Sequence, residues 1–226
     1  MQNIQIGSFV LNGQLILYLS YGAGGWLMLQ YRLRGSLERR IYLSDAANAF
    51  WLWLLVWKGS FLIFYPIDVI TQPMSLLYFD GGERGRWIAS LVTASYIWYR
   101  NSKQNLSVKM WIDMGIWFTL SGWLVYHLLL LITGEESSLY HTANAGMTVL
   151  LLISLLVSQK GSDSGSGLNH AVWFSIGNVL LSFLVADRPV WLLSFSKQQI
   201  IFLLAAACLT GWSWLDEKQQ KGGPHG

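Results

Sequence analysis

The chain alternates long apolar runs with short polar connections, and the runs are the lengths that a bilayer demands. About 20 consecutive apolar residues are needed to cross the hydrocarbon core as a helix. By that measure the spans fall near residues 9–30, 46–65, 87–99, 110–133, 140–157, 170–185 and 199–214. The third is short and draws Gly85 and Arg86 into its outer end. The pattern predicts an all-α membrane protein, a bundle of about seven transmembrane helices forming one multi-pass domain over residues 1–226. The connections leave no room for a soluble domain. The first run has no basic stretch before it and outlasts the apolar core of a cleavable signal, so it reads as a span.

The connections differ in character. GSDSGSG at 161–167 reads as a flexible cytoplasmic linker, and 216–226 as a cytoplasmic tail. PIDVITQPMSLLYFDGGERGR, between the second and third runs, has two prolines, an apolar MSLLYF stretch and a DGG turn, and reads as an interfacial half-helix followed by a tight turn at the outer surface. LLSFSKQQ, before the last run, reads as a second interfacial stretch. No internal repeat is visible, which weighs against an inverted-repeat transporter.

Composition and charge sharpen this picture. Hydrophobic residues make up 53% of the chain and charged residues only 12%, so a water-soluble fold is excluded. Arg32, Arg34, Arg39 and Arg40 follow the first run, Arg100, Lys103 and Lys109 the third, and Lys218 and Lys221 the last. The alternate connections hold Asp68, Asp80, Glu83, Glu135, Glu136 and Asp187. The positive-inside rule then sets the N-terminus outside and the C-terminus in the cytoplasm. The net charge of +3 serves anionic headgroups on the cytoplasmic side, and no nucleic-acid partner is expected. The single cysteine, Cys208, excludes a disulfide or thiolate metal site within the chain, and its run reads as burying it.

Candidate chemistry lies in the ionisable groups inside the runs. Such groups cost roughly 2.5 kcal/mol or more at the bilayer centre, and they face a bundle interior or a wet cavity. Lys58 sits in FWLWLLVWKGSFLIFY; Asp113 and His127 sit in MWIDMGIWFTLSGWLVYHLLLLI. Lys58 reads either as a cation facing an anionic ligand or as a snorkelling side chain. Asp113 and His127 are 14 residues apart and share a helix face about 21 Å apart along the axis. Asp113 is explained by the dipole of a helix start or by an ion pair with Lys109. His127 reads as a site residue or as a hydrogen-bonded structural histidine. His141 begins the next run and can approach it across a short hairpin. Two histidines without a third ligand argue against a metal or haem, so no metal and no cofactor are expected. His170 and His225 read as loop and tail residues.

Several segments together resemble the prolipoprotein diacylglyceryl transferases of bacteria, seven-helix membrane enzymes. IGSFVLNGQLILYLSYG resembles the family's first helix, KGSFLIFYP its R-x-G-Y-V-L-F-Y segment with Lys58 in the arginine's place, and QPMSLLYFDGG its P-x-x-x-x-x-x-W-x-G-G loop. IDMGIWFTLSGWLVYHLLLLITGEE resembles the helix ending in G-R-x-G-N-F-I-N-G-E, HTANA resembles H-P-[ST]-Q-L, and IGNVLLSFLVADRP with SFSKQQII resembles the last two helices. The similarity runs in order along most of the chain.

The resemblance implies transfer of a diacylglyceryl group from phosphatidylglycerol to a lipobox cysteine thiol in the bacterial cytoplasmic membrane. It makes His127 the candidate catalytic residue and Lys58 and Arg86 the candidate lipid-phosphate ligands. Gln14, Asn144, Ser182 and His141 become cavity-lining residues. The departures are equally specific. The family's central histidine falls near Arg86 or Trp87, its signature arginine on His127, its first-helix tyrosine on Gln14, and its sixth-helix arginine and glutamate on Ser182 and Ala186. The outer insertion is reduced to GEESSLY. The alternative is therefore a non-catalytic descendant that binds phosphatidylglycerol, a lipoprotein signal peptide or another membrane protein as scaffold or regulator. A transporter or an electron carrier is a third class.

Overall fold

The computed structural model describes residues 4–6, 9–36, 38–75, 79–104, 108–134, 138–158, 166–185 and 188–221. Its long elements are all helices. Five of them are long and apolar enough to cross a membrane: Arg39–Phe64, Met110–Ile132, Ser138–Ser158, Gly167–Leu184 and Lys197–Leu215. Each helix leaves large apolar side chains uncovered, among them Leu27, Leu55, Leu91, Leu150 and Leu204. A surface of that kind is matched to hydrocarbon rather than to water. The chain divides into two compact units, residues 1–108 and 109–226.

The first unit opens with a small antiparallel hairpin, β1 (Ile4–Ile6) and β2 (Phe9–Leu11), paired Ile4 to Leu11, Gln5 to Val10 and Ile6 to Phe9. Residues 9–11 were expected inside the first span, but Asn12 starts the helix after them. Its side-chain oxygen accepts from the Gln14 amide at 2.9 Å, capping α1 (Gly13–Arg32). α2 (Arg39–Phe64) begins at Arg39 and Arg40, and α3 (Pro66–Thr71) follows with proline in its first turn, where the missing N–H costs nothing. A short helix over PIDVIT occupies the start of the expected interfacial segment; Ser75 is helical again, and residues 76–78 lie outside the described residues.

The expected DGG turn is present. Asp80 accepts from the Gly82 amide at 2.8 Å, and Gly82 takes φ +59, the left-handed region glycine enters without strain. From this turn rises α4 (Gly82–Gln104), which at 23 residues is longer than the short third span expected. α2 and α4 approach closely because Gly81 and Gly85 lie against Ser60. A Cβ on either glycine would overlap the Ser60 hydroxyl. The Gly81 amide donates to the Trp57 carbonyl at 3.3 Å, and the Ser60 hydroxyl to the same oxygen at 2.7 Å. Small residues four apart permit this approach in membranes.

The second unit contains α5 (Val108–Ile132), α6 (Ser138–Ser158), α7 (Ser166–Leu181) with a 3-10 turn at Ser182–Leu184, and α8 (Lys197–Lys221). Several expectations are corrected here. Ser166 and Gly167, assigned to the linker, are helical, while 161–165 lie outside the described residues. Helix α8 continues to Lys221, through much of the expected tail. Cys208 is exposed on α8 rather than buried, because its face of the helix is turned away from the unit's interior. His170 belongs to α7, where its Nε2 lies 3.0 Å from the Ser154 hydroxyl. His225 lies outside the described residues. Asp113 rests against Gly167 of α7, which sets it beside a neighbouring helix rather than only at its own helix start.

The LLSFSKQQ stretch forms a tight turn. Leu192 and Phe195 pair, and Leu193 (φ 46) and Ser194 (φ 68) between them both occupy the left-handed region. This suits the twist of a two-residue hairpin but is costly for residues other than glycine or asparagine. Ser196 and Gln199 then form a capping box at the start of α8. The Gln199 amide donates to the Ser196 hydroxyl at 3.3 Å and the Ser196 amide to Gln199 Oε1 at 2.8 Å. Gln199 Nε2 donates onward to the Val179 carbonyl at 3.1 Å, tying α8 to α7.

Candidate functional site

The candidate residues divide between the units. Gln14, Lys58 and Arg86 belong to the first; His127, His141, Asn144 and Ser182 belong to the second. In the first unit a polar cluster forms where α1, α2 and the turn before α4 meet. Lys58 Nζ donates to the Phe79 carbonyl at 3.0 Å. Asp80, the next residue, accepts from Asn12 Nδ2 at 3.1 Å, so the α1 cap and the DGG turn are joined across 68 positions. Arg86 donates to the Tyr18 hydroxyl at 3.1 Å. Tyr18 meets Trp53 and Trp57 edge-on, with centroids 5.1 and 4.9 Å away, and Trp57 is fully buried. Gln14 is half-buried in the first turn of α1. Lys58 is therefore half-buried, with its ammonium tied to a backbone carbonyl of the turn that precedes α4.

A second polar contact in this unit joins Asp45 of α2 to Arg100 of α4. Asp45 is 0% exposed and accepts from Arg100 Nε at 3.0 Å, with the terminal Nη2 on the same oxygen. Sequence reasoning had assigned Arg100 to the loop charge and passed over Asp45. The signal was present: antiparallel neighbours bring the start of one helix to the end of the next.

In the second unit three of the candidates converge. His127, on α5, is 1% exposed, and its Nδ1 lies 2.9 Å from Nδ1 of His141 on α6. The short connection between α5 and α6 folds them as an antiparallel pair, which brings two residues 14 positions apart face to face. Around the His127 ring stand Trp123 at 5.2 Å, Tyr126 at 5.4 Å and Tyr140 at 5.6 Å between centroids. Asn144, fully buried, accepts from Trp123 Nε1 at 3.3 Å and donates to the Tyr140 carbonyl at 3.0 Å. Phe174 of α7 and Phe202 of α8 pack edge-on to Trp123, closing the cluster. Among the described residues, His127 Nε2 has no hydrogen-bond partner despite its burial. Ser182 turns its hydroxyl back to the Val179 carbonyl at 2.8 Å.

A buried imidazole nitrogen without a partner is costly, and such an atom is a place to look for a ligand. Among the described residues no group of three or more His, Cys, Asp or Glu could hold a metal ion. The pair is instead equipped to move a proton: one nitrogen is open, and the other leads to a second imidazole. No family model, curated protein or solved structure matches this chain.

Proposed function

We propose that this chain is a seven-span protein of the bacterial cytoplasmic membrane, N-terminus outside, that acts as a divergent prolipoprotein diacylglyceryl transferase. Its substrates would be phosphatidylglycerol and the lipobox cysteine of a lipoprotein signal peptide. The observation that carries the reading is the unpartnered Nε2 of His127, buried in an aromatic shell beside His141. Making a thiolate requires a base, and an imidazole with an open nitrogen is a side chain that can accept the proton. In the first unit, Lys58 and Arg86 carry positive charge of the kind that binds a lipid phosphate. The apolar outer surfaces of the helices support the membrane setting.

The test is the mass of a lipobox peptide incubated with the reconstituted protein and phosphatidylglycerol. The expected product carries one added diacylglyceryl group and is lost in His127→Ala. No product under conditions where an authentic family member works rejects the activity.

One observation favours the second reading, a non-catalytic binder of phosphatidylglycerol, a signal peptide or a membrane partner. Lys58 and Arg86 already donate to the Phe79 carbonyl and the Tyr18 hydroxyl, so a phosphate would have to compete for them. Saturable binding of phosphatidylglycerol, weakened by Lys58→Ala and without turnover, supports that reading; turnover that depends on His127 ends it.

A further inference from the structure

Two Nδ1 atoms 2.9 Å apart share one hydrogen, so one ring donates and the other accepts. If His141 donates, neutral His127 carries its hydrogen on Nε2, and a buried N–H is left with no acceptor. If His127 donates, its Nε2 is instead a bare lone pair. Orphaned buried N–H groups are rarer in proteins than under-used acceptors, and this selects the second arrangement. The open nitrogen is then an acceptor by construction.

We propose that His127 and His141 form a two-imidazole proton relay, with His127 Nε2 as the receiving atom and a thiol or similarly weak acid as the donor. The thiol S–H bond breaks as Nε2–H forms. The Nδ1–H bond of His127 then breaks as Nδ1–H forms on His141. The thiolate carries the negative charge and His141, now holding hydrogen on both nitrogens, carries the positive one; nothing else is consumed. His127 is ringed by Trp123, Tyr126 and Tyr140, and His141, the fourth residue of α6, is buried beside it. Among the described residues, Tyr126 from α5 and Tyr140 from α6 are titratable groups that stand against the His127 ring, while α7 and α8 present Phe174 and Phe202 behind Trp123. His141 acts through His127 and is a positioning residue.

The choice of a thiol rests on the function proposed above; the relay does not, and the experiment separates them. Full-length protein labelled with 15N-histidine in phosphatidylglycerol-containing nanodiscs is examined by NMR at neutral pH, without peptide. The expected result is coupling between the two Nδ1 nuclei across the hydrogen bond, with no hydrogen on His127 Nε2. Hydrogen on that Nε2, or uncoupled Nδ1 nuclei, overturns the relay. So does loss of the coupling on adding zinc alone, which would make the pair metal ligands. His141→Asn retains an acceptor at the Nδ1 position but cannot carry a proton. The Nδ1–H of His127 should persist in that variant while peptide lipidation falls about tenfold or more. Lipidation undiminished in His141→Asn overturns the relay and leaves the transferase reading standing. Coupling in a protein that lipidates nothing supports the relay and removes the thiol.

Discussion

Gln199 serves two backbone groups at once. Its oxygen accepts from the Ser196 amide and its nitrogen donates to the Val179 carbonyl, all of it fully buried. Gln199→Ala leaves the Ser196 N–H unpaired and should cost about 2 kcal/mol in thermal or denaturant unfolding. Gln199→Glu keeps the acceptor but turns a carboxylate oxygen towards the Val179 carbonyl, so it should unfold more readily still. A Glu variant as stable as wild type would show that the side chain does not bridge α7 and α8. At Asp45 the argument is one of charge. Arg100→Gln leaves a buried carboxylate without its guanidinium, so it should lower the unfolding midpoint more than the double change Asp45→Asn, Arg100→Gln. The reverse order in a melting assay would count against the ion pair. Much of this was readable beforehand. Ser196 and Gln199 stand at capping-box spacing, and His141 follows His127 across a short connection. Lys58 to Phe79 was not readable, because that bond depends on how the DGG turn folds back over α2.

Between elements, the closest approach is where Gly81 and Gly85 meet Ser60. A Cβ on Gly85 would meet the Ser60 hydroxyl and lie 3.2 Å from the Trp57 carbonyl, whereas a Cβ on Gly81 would also strike the Gly85 backbone. Gly85→Ala should therefore destabilise the pairing of α2 with α4, and Ser60→Ala should recover a large part of the loss. A coupling energy of about 1 kcal/mol in a double-mutant cycle is the expected size for such a contact. Strict additivity would mean that the helices do not meet there. The long helices themselves were legible as apolar runs, since a bilayer imposes their length. Their ends were not. Arg39 and Arg40 extend α2 below its apolar stretch, and α8 runs through Asp216 and Glu217, because a helix does not stop where hydrophobicity does. The hairpin at Ile4–Leu11 was hidden for the converse reason: its apolar residues merge with the run that follows, and only Asn12 marks the boundary.

At the scale of the molecule, the charge pattern makes a prediction independent of any activity. The first and third connections carry Arg32, Arg34, Arg39, Arg40, Arg100, Lys103 and Lys109, and the second carries Asp68, Asp80 and Glu83. Translocating arginine and lysine is opposed during insertion, while acidic residues contribute little. Seven crossings with the N-terminus outside would keep these seven cations inside, leaving Arg84, Arg86, Arg188 and Lys197 in the outer connections; an inverted chain would export the larger group. α1 and α4, at 20 and 23 residues, are long enough to cross, although they are more polar than the other five helices. In a Cys208→Ser background, a cysteine at Gln72 should react with an impermeant maleimide on intact bacterial cells, and one at Ser102 only after the membrane is opened. The two positions flank α4, so opposite reactivity also tests whether that helix crosses at all. Labelling of both from outside would keep α4 on one side and reduce the crossings; labelling of Ser102→Cys alone would invert the protein.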